Sequence, residues 1–344
     1  MKNMKLATLT LVLSTFSSAS YAIVDGTSIN WADHDNIVNS SCTGLVIGGD
    51  FILTAAHCTD IQEPVNFSDG SVIEITKRVN HPDYAALGLA DVAIFTLTDI
   101  PNVEHIDFLN PRDLVTDEDV KTYGFGGTGN DLHYATLRAD SATDSANNGA
   151  PYPNVTLRNI GLGYLIGGDS GGTGLDNNGF VITLNNGVNG NINIATVLKV
   201  AKDFITSTVN GWHYPTIVKT TSGNTQVVKI QSLHTSPTDI LNTINTTGDA
   251  SIDTAGITCA SPSGVVSSPS AVNPYDVCSL PLTSNGDEGR IVLGNDAVIT
   301  VNKKAEVKPD PKPQPDNGGG GGGGSLGWTA LFGLLFAGFV RRTR

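Results

Sequence analysis

The chain has 344 residues, 33 of them acidic and 20 basic, giving a net charge of −13 at pH 7. That length predicts two folded domains with tails rather than one small core. The acidic balance argues against a nucleic-acid partner, which needs clustered lysine and arginine, and suits a soluble exported protein.

Residues 1–22 read as a signal peptide and hence a substrate for signal peptidase. MKNMK supplies Lys2 and Lys5, LATLTLVL the apolar centre, and Ser20 and Ala22 the small residues of a cleavage site. The apolar run falls short of the ~20 residues that a membrane span needs. Export permits disulfides, and the four cysteines, Cys42, Cys58, Cys259 and Cys278, fall as two local pairs. No C-x-x-C spacing occurs, no acidic loop suggests calcium, and neither a metal site nor a cofactor is expected.

From residue 23 to 213 short β-rich runs alternate with Gly, Asn and Asp turns. TGLVIGGDFILTAAHC predicts a hairpin turning at Gly48-Gly49-Asp50, and ADVAIFTL and NGFVITL predict further strands. ATVLKVAKDFITSTV places Val197, Leu198, Ala201, Phe204 and Ile205 at helical spacing, with Asn210-Gly211 as the stop. A second β-rich segment, 214–305, carries TQVVKIQSL and GRIVLGNDAVITVN and is expected to be stapled by Cys259–Cys278. Short strands with one disulfide suit an immunoglobulin-like sandwich, although the Cys–Trp–Cys pattern is missing. Residues 306–324 are a Pro/Gly-rich linker of extended type.

Three separated stretches carry chemistry: ILTAAHC with His57, HPDYAALGLADVAIFTL with Asp91, and GGDSGG with Ser170. Singly, each has a plain structural explanation. Together, in the order His, Asp, Ser, they resemble the chymotrypsin–trypsin family of serine proteases. TAAHC resembles its histidine motif, GDSGG its nucleophile motif, YGFGGTG its mid-chain region, and IVDG at Ile23 its mature amino terminus.

The resemblance implies an all-β fold of two antiparallel barrels with a C-terminal helix and a cleft between the barrels. It implies that His57 takes the proton of Ser170, and that Asp91 holds the imidazole in the right tautomer. The backbone N–H groups of Gly168 and Ser170 would bind the developing oxyanion. It also implies a Cys42–Cys58 disulfide, and an ion pair between Asp169 and the freed amino group of Ile23. With Ala22 both the signal-peptidase site and the residue before Ile23, removal of the signal peptide is expected to activate the enzyme.

The family pattern is broken around the specificity pocket. Tyr164 stands where trypsin-like members carry aspartate, Ile166 replaces a cysteine, and Thr173 a proline. Preference for Arg or Lys is therefore unsupported, and cleavage after a small or mid-sized apolar residue is expected instead.

Residues 325–344 form an apolar stretch with a basic end. With the glycines before it, the tail resembles the GlyGly-CTERM sorting signal of Gram-negative bacteria. Leu326–Val340 would span about 22 Å as a helix, short of the ~30 Å hydrocarbon core. The resemblance implies transient anchoring in the inner membrane, cleavage by a rhomboid-type sorting protease, and delivery by type II secretion to the surface or medium. The leading expectation is a secreted serine endopeptidase acting on proteins and peptides. The alternative is a catalytically weak homologue used as a surface binding or adhesion module.

Overall fold

In the computed structural model the described residues are 23–60, 63–87, 90–126, 129–140, 154–189, 192–294 and 297–304. The expected signal peptide, the linker and the apolar tail all lie outside them. Among the described residues no helix is long and apolar enough to cross a membrane.

Among the described residues, fourteen strands build the first part of the chain. They are β1 (Thr27–Ser28), β2 (Ile37–Asn39), β3 (Thr43–Ile47), β4 (Phe51–Thr54), β5 (Val65–Asn66), β6 (Val72–Ile73), β7 (Ile75–Asn80), β8 (Ala93–Leu97), β9 (Asp119–Gly124), β10 (His133–Ala139), β11 (Asn154–Asn159), β12 (Thr173–Leu175), β13 (Val181–Asn189) and β14 (Ile192–Val197). One seven-stranded sheet runs β6-β5-β2-β3-β4-β8-β7. A second runs β1-β10-β11-β14-β13-β12-β9, and the further pairing of β9 with β10 closes six of its strands into a barrel. The expectation of two barrels is thus met by one closed barrel and one curled, open sheet.

Period-two patterning explains how these strands meet. In β10 every second residue is buried, so that Ala135, Leu137 and Ala139 enter the core of the closed barrel. Strands β3, β4 and β8 are apolar on both faces, because they sit between two cores. Leu45, Ile47, Leu53 and Ile94 point into the cluster between the sheets, whereas Val46, Ile52, Ala93 and Phe95 fill the first sheet's own core. The strand that leads to His57 is therefore held from both sides.

The Cys42–Cys58 disulfide ties the start of the β3–β4 hairpin to the turn that follows it. Replacing both cysteines with alanine is expected to cost about 3 kcal/mol of stability in the chain-entropy model, readable by urea unfolding.

The closing helix is shorter than its sequence pattern. Ala195, Thr196 and Val197 belong to β14, where they pair with β11 and β13. Leu198–Ala201 is a 3-10 turn, and the α-helix covers only Lys202–Val209 before Asn210 ends it in the left-handed conformation (φ 40°). The β-branched Ile194, Thr196 and Val197 suit a pleated strand better than a helix.

Ten further strands follow: β15 (Trp212–His213), β16 (Ile217–Val218), β17 (Thr225–Ser232), β18 (Asn245–Gly248), β19 (Ser251–Ile252), β20 (Thr258–Ala260), β21 (Val266–Ser267), β22 (Val277–Thr283), β23 (Gly289–Gly294) and β24 (Ala297–Val301). They form a six-stranded sheet (β15-β17-β22-β20-β21, with β19 on β22) and a four-stranded one (β16-β24-β23-β18). Both contribute to one core, through Ile230, Leu280 and Leu282 from the first and Ile291 and Ile299 from the second. Cys259 and Cys278 are direct cross-strand partners on β20 and β22, so this disulfide lies within one sheet. Immunoglobulin domains place theirs between sheets, and β16 and β24 pair in parallel.

This sandwich is bonded directly to the first two sheets. Leu233 and Tyr275 enter the core cluster between those sheets. The fully buried Gln231 accepts from Leu109 N–H (2.8 Å) and donates to the carbonyls of Leu109 (2.7 Å) and Tyr275 (2.9 Å). His213, also fully buried, accepts from Gly48 N–H at Nδ1 (3.3 Å) and donates from Nε2 to the Asp107 carbonyl (3.1 Å). Burial pushes its pKa down to about 4, so it stays neutral.

Candidate active site

The histidine sits in the 3-10 turn Ala56–Asp60, immediately after β4. Asp91 lies just before β8, which pairs with β4, so sheet register brings the two residues together. The His57 Nδ1 is 2.6 Å from Asp91 Oδ2, and the His57 backbone N–H donates to Asp91 Oδ1 at 2.9 Å. One carboxylate thus fixes both the ring and its backbone. With Nδ1–H given to Asp91, Nε2 keeps its lone pair and can accept a proton. The hydrogen bond to Asp91 raises the His57 pKa above its ordinary value, and burial opposes it only in part.

Ser170 arrives from the other sheet, on the turn before β12. Its Oγ donates to the Asn186 carbonyl at 3.4 Å, and no hydrogen bond joins it to His57. The turn itself is tightly held. Gly171 N–H donates to Asn185 O (2.8 Å), Asn185 N–H to Gly172 O (2.7 Å), and Thr43 N–H to Ser170 O (2.9 Å). Gly171 has φ +80°, and a Cβ there would overlap Thr54 Oγ1 and the Thr43 carbonyl, so only glycine fits. Gly168 has φ +101°. Among the described residues, no protein acceptor takes the N–H of Gly168 or Ser170.

Behind the turn, Asp169 is almost fully buried. It accepts from Ile166 N–H at 2.8 Å, and the backbone nitrogens of Ile23 and Gly126 face the same carboxylate. Burial pushes its pKa up to about 7, since no cation compensates the loss of solvent. Ile23 is completely buried and has φ +31°, a region that β-branched residues avoid. Its segment is pinned to the pocket region by the bond from Tyr164 N–H to Val24 O (3.1 Å). Tyr164 itself is 41% exposed.

The histidine, aspartate and nucleophile motifs are therefore neighbours in space, and the Asp169–Ile23 proximity is present too. Several contributors were not legible in the sequence reading. Thr43 links the first sheet to the turn and is braced by Thr54 Oγ1, which donates to its carbonyl, and the buried Asn185 donates to the carbonyls of Tyr123 and Asp169 (3.2 Å each). Their signal is only a polar residue inside an apolar strand. A cavity of about 410 Å³ adjoins Gly167 and Gly168 and is lined by Asn39, Ser41, Glu63 and Asn66. The sulfurs nearest His57 are committed to the Cys42–Cys58 bond, so that cluster offers no metal site.

A family model described as Trypsin matches residues 24–213, a little over half of the chain. Among solved structures, neuropsin, a serine protease expressed in the limbic system of mouse brain, is similar over 54% of this chain and 99% of its own, at 16% identity and a TM-score of 0.47. Human heparin binding protein is similar over 54% of this chain and 95% of its own, at 16% identity and a TM-score of 0.46.

Proposed function

We propose that the chain, which belongs to the trypsin family of serine proteases, is a secreted endopeptidase acting through an acyl-enzyme on Ser170. The family implies peptide hydrolysis and protein or peptide substrates. The observation that carries the finer reading is the His57–Asp91 pair at 2.6 Å, set beside a glycine turn with two N–H groups that find no acceptor among the described residues.

On this reading the Ser170 hydroxyl swings from the Asn186 carbonyl to Nε2 of His57 once substrate enters, as catalytic hydrogen bonds commonly tighten only in the complex. His57 takes the proton as Oγ attacks the carbonyl carbon. The N–H groups of Gly168 and Ser170 hold the oxygen as it gains charge. His57 then gives the proton to the leaving amine, and water repeats the sequence to release the acid. A leaving amine must lie next to His57, and so over the Cys42–Cys58 side, where the Ser41-lined cavity would receive its side chains. Retention of all three catalytic residues supports an enzyme over a pure binding module. A peptide-library digest by processed protein tests the reading and shows what preference the exposed Tyr164 leaves. Absence of cleavage beyond a Ser170→Ala control would overturn it.

Activation by signal-peptide removal has physical support in the state of Ile23. Cutting after Ala22 would abolish the strained torsion, since φ no longer exists at a chain end, and would turn an amide into an ammonium facing Asp169. The apolar stretch with its basic end, residues 325–344, joined by the linker 306–324, is proposed as a sorting signal that holds the protease at the inner membrane until a rhomboid-type protease frees it for type II secretion. Intact mass and terminal sequencing of the exported protein check both ends. The expected species starts at Ile23 and lacks the apolar stretch; a different first residue, or an intact tail in the released form, would contradict the proposal.

A further inference from the structure

We infer that Thr43 is a positioning residue for the oxyanion site, holding from behind both residues whose N–H groups bind the developing charge. The inference rests on the hydrolase reading above and adds a residue to which no motif points.

Thr43 opens β3 and is completely buried. A buried hydroxyl is costly unless it is hydrogen-bonded, and this one is used on both sides. It donates to the Gly168 carbonyl at 3.0 Å and accepts from Phe125 N–H at 3.2 Å. The backbone of the same residue does a second task, its N–H donating to the Ser170 carbonyl at 2.9 Å. Its own carbonyl accepts from Thr54 Oγ1 at 2.8 Å, and the preceding residue, Cys42, is locked by the disulfide. Thr43 is thus anchored on three sides and reaches Gly168 and Ser170 on a fourth.

Such an anchor has a mechanical reason. Gly168 sits at φ +101°, where glycine alone is at ease, and glycine torsions are soft. Among the described residues, the bond from Thr43 is the one hydrogen bond that holds Gly168. The Gly168 N–H lies in the preceding peptide, so the bond to the Gly168 carbonyl fixes the far side of a soft residue and, through its Cα, narrows the directions in which that N–H can point. Oxyanion stabilisation depends on donors already aimed at the oxygen, and a displacement of about 1 Å can cost on the order of a hundred-fold in rate.

The test compares Thr43→Val, which keeps the shape and removes the hydroxyl, with Thr43→Ser, which keeps the hydroxyl and removes the methyl. The substrate is a peptide amide of the sequence that the wild-type protein cuts best, and the probe is the matching peptide aldehyde, whose hemiacetal oxygen occupies the oxyanion position. For the valine variant kcat should fall roughly 10- to 100-fold with KM within about two-fold. Aldehyde affinity should fall in parallel, and the serine variant should stay within about three-fold of wild type on both readouts. A folded valine variant with unchanged kcat, or aldehyde binding that does not follow kcat, would overturn the inference. Should the valine variant not fold, the serine variant decides, because loss of rate with the hydroxyl retained would show that packing matters instead. A wild-type protein without activity would defeat the hydrolase reading itself, which is a different outcome from an active protein indifferent to Thr43.

Discussion

Alanine at Ser170 or at His57 is expected to lower kcat in the processed protein by roughly a million-fold, and Asp91→Asn by roughly ten-thousand-fold. These are the largest effects expected, because in the proposed mechanism the three groups act as one proton-transfer unit and none works alone. For the same reason a Ser170→Ala/His57→Ala double variant should be little worse than either single one. KM should change far less than kcat, since substrate binding is spread along the cleft. The pH profile carries a second signature. His57 must be neutral to accept the serine proton, and its hydrogen bond to Asp91 holds its pKa above the ordinary value. Activity should therefore fall on the acid side through a pKa above 6.5, the ordinary value for histidine. In Asp91→Asn that acid limb should move down as the plateau drops. Stopped assays of kcat/KM across pH 5 to 9 would check this; an unmoved acid limb in the asparagine variant would break the link between Asp91 and His57.

The second large effect concerns Asp169, and it should change sign with processing. In the uncleaved chain burial raises the Asp169 pKa from 3.8 to about 7. The folded form then binds a proton that the unfolded form has already lost above pH 3.8. Stability therefore declines as pH rises from about 4 to 7, by ~4 kcal/mol in all, and stays low above that. Asp169→Asn should flatten this dependence and leave the uncleaved chain no less stable at pH 8. After cleavage the Ile23 ammonium faces the carboxylate, and the pair should hold both groups charged. The same substitution then strands a buried cation, at a cost of about 3–5 kcal/mol, and activity should fall with it. Denaturant unfolding of both forms, with and without the substitution, at pH 5 and pH 8 gives the comparison. A substitution equally harmful in both forms would remove the case for a cleavage-driven ion pair.

Local spacing made some of this legible in advance. The hairpin through Gly48-Gly49-Asp50, the strands β8, β13, β17, β23 and β24, and the Asn210 stop were all readable from alternation and turn chemistry. Those signals depend only on residues within a few positions of one another. The helix starts later than the spacing from Ala195 predicts, because Val197 and Leu198 suit either period and pairing of Thr196 with Asn154 decides for a strand. Closure of only one barrel was invisible, since it depends on the pairing of β9 with β10 and not on the make-up of either strand. The sandwich was expected as a separate module. Its attachment through Gln231, His213 and Tyr275 is made by isolated buried polar atoms, which leave no periodic trace. Thr43 was hidden for the same reason, as one hydroxyl at the head of an apolar strand.

The central claim is that Ser170 becomes a nucleophile beside a histidine whose other nitrogen is held by a carboxylate. Its most direct measurement is reaction of the processed protein with a serine-directed fluorophosphonate, followed by peptide mapping by mass spectrometry. One adduct per chain is expected, on Ser170, lost in Ser170→Ala and strongly slowed in His57→Ala. An adduct on another residue, or none in protein that begins at Ile23, would contradict it.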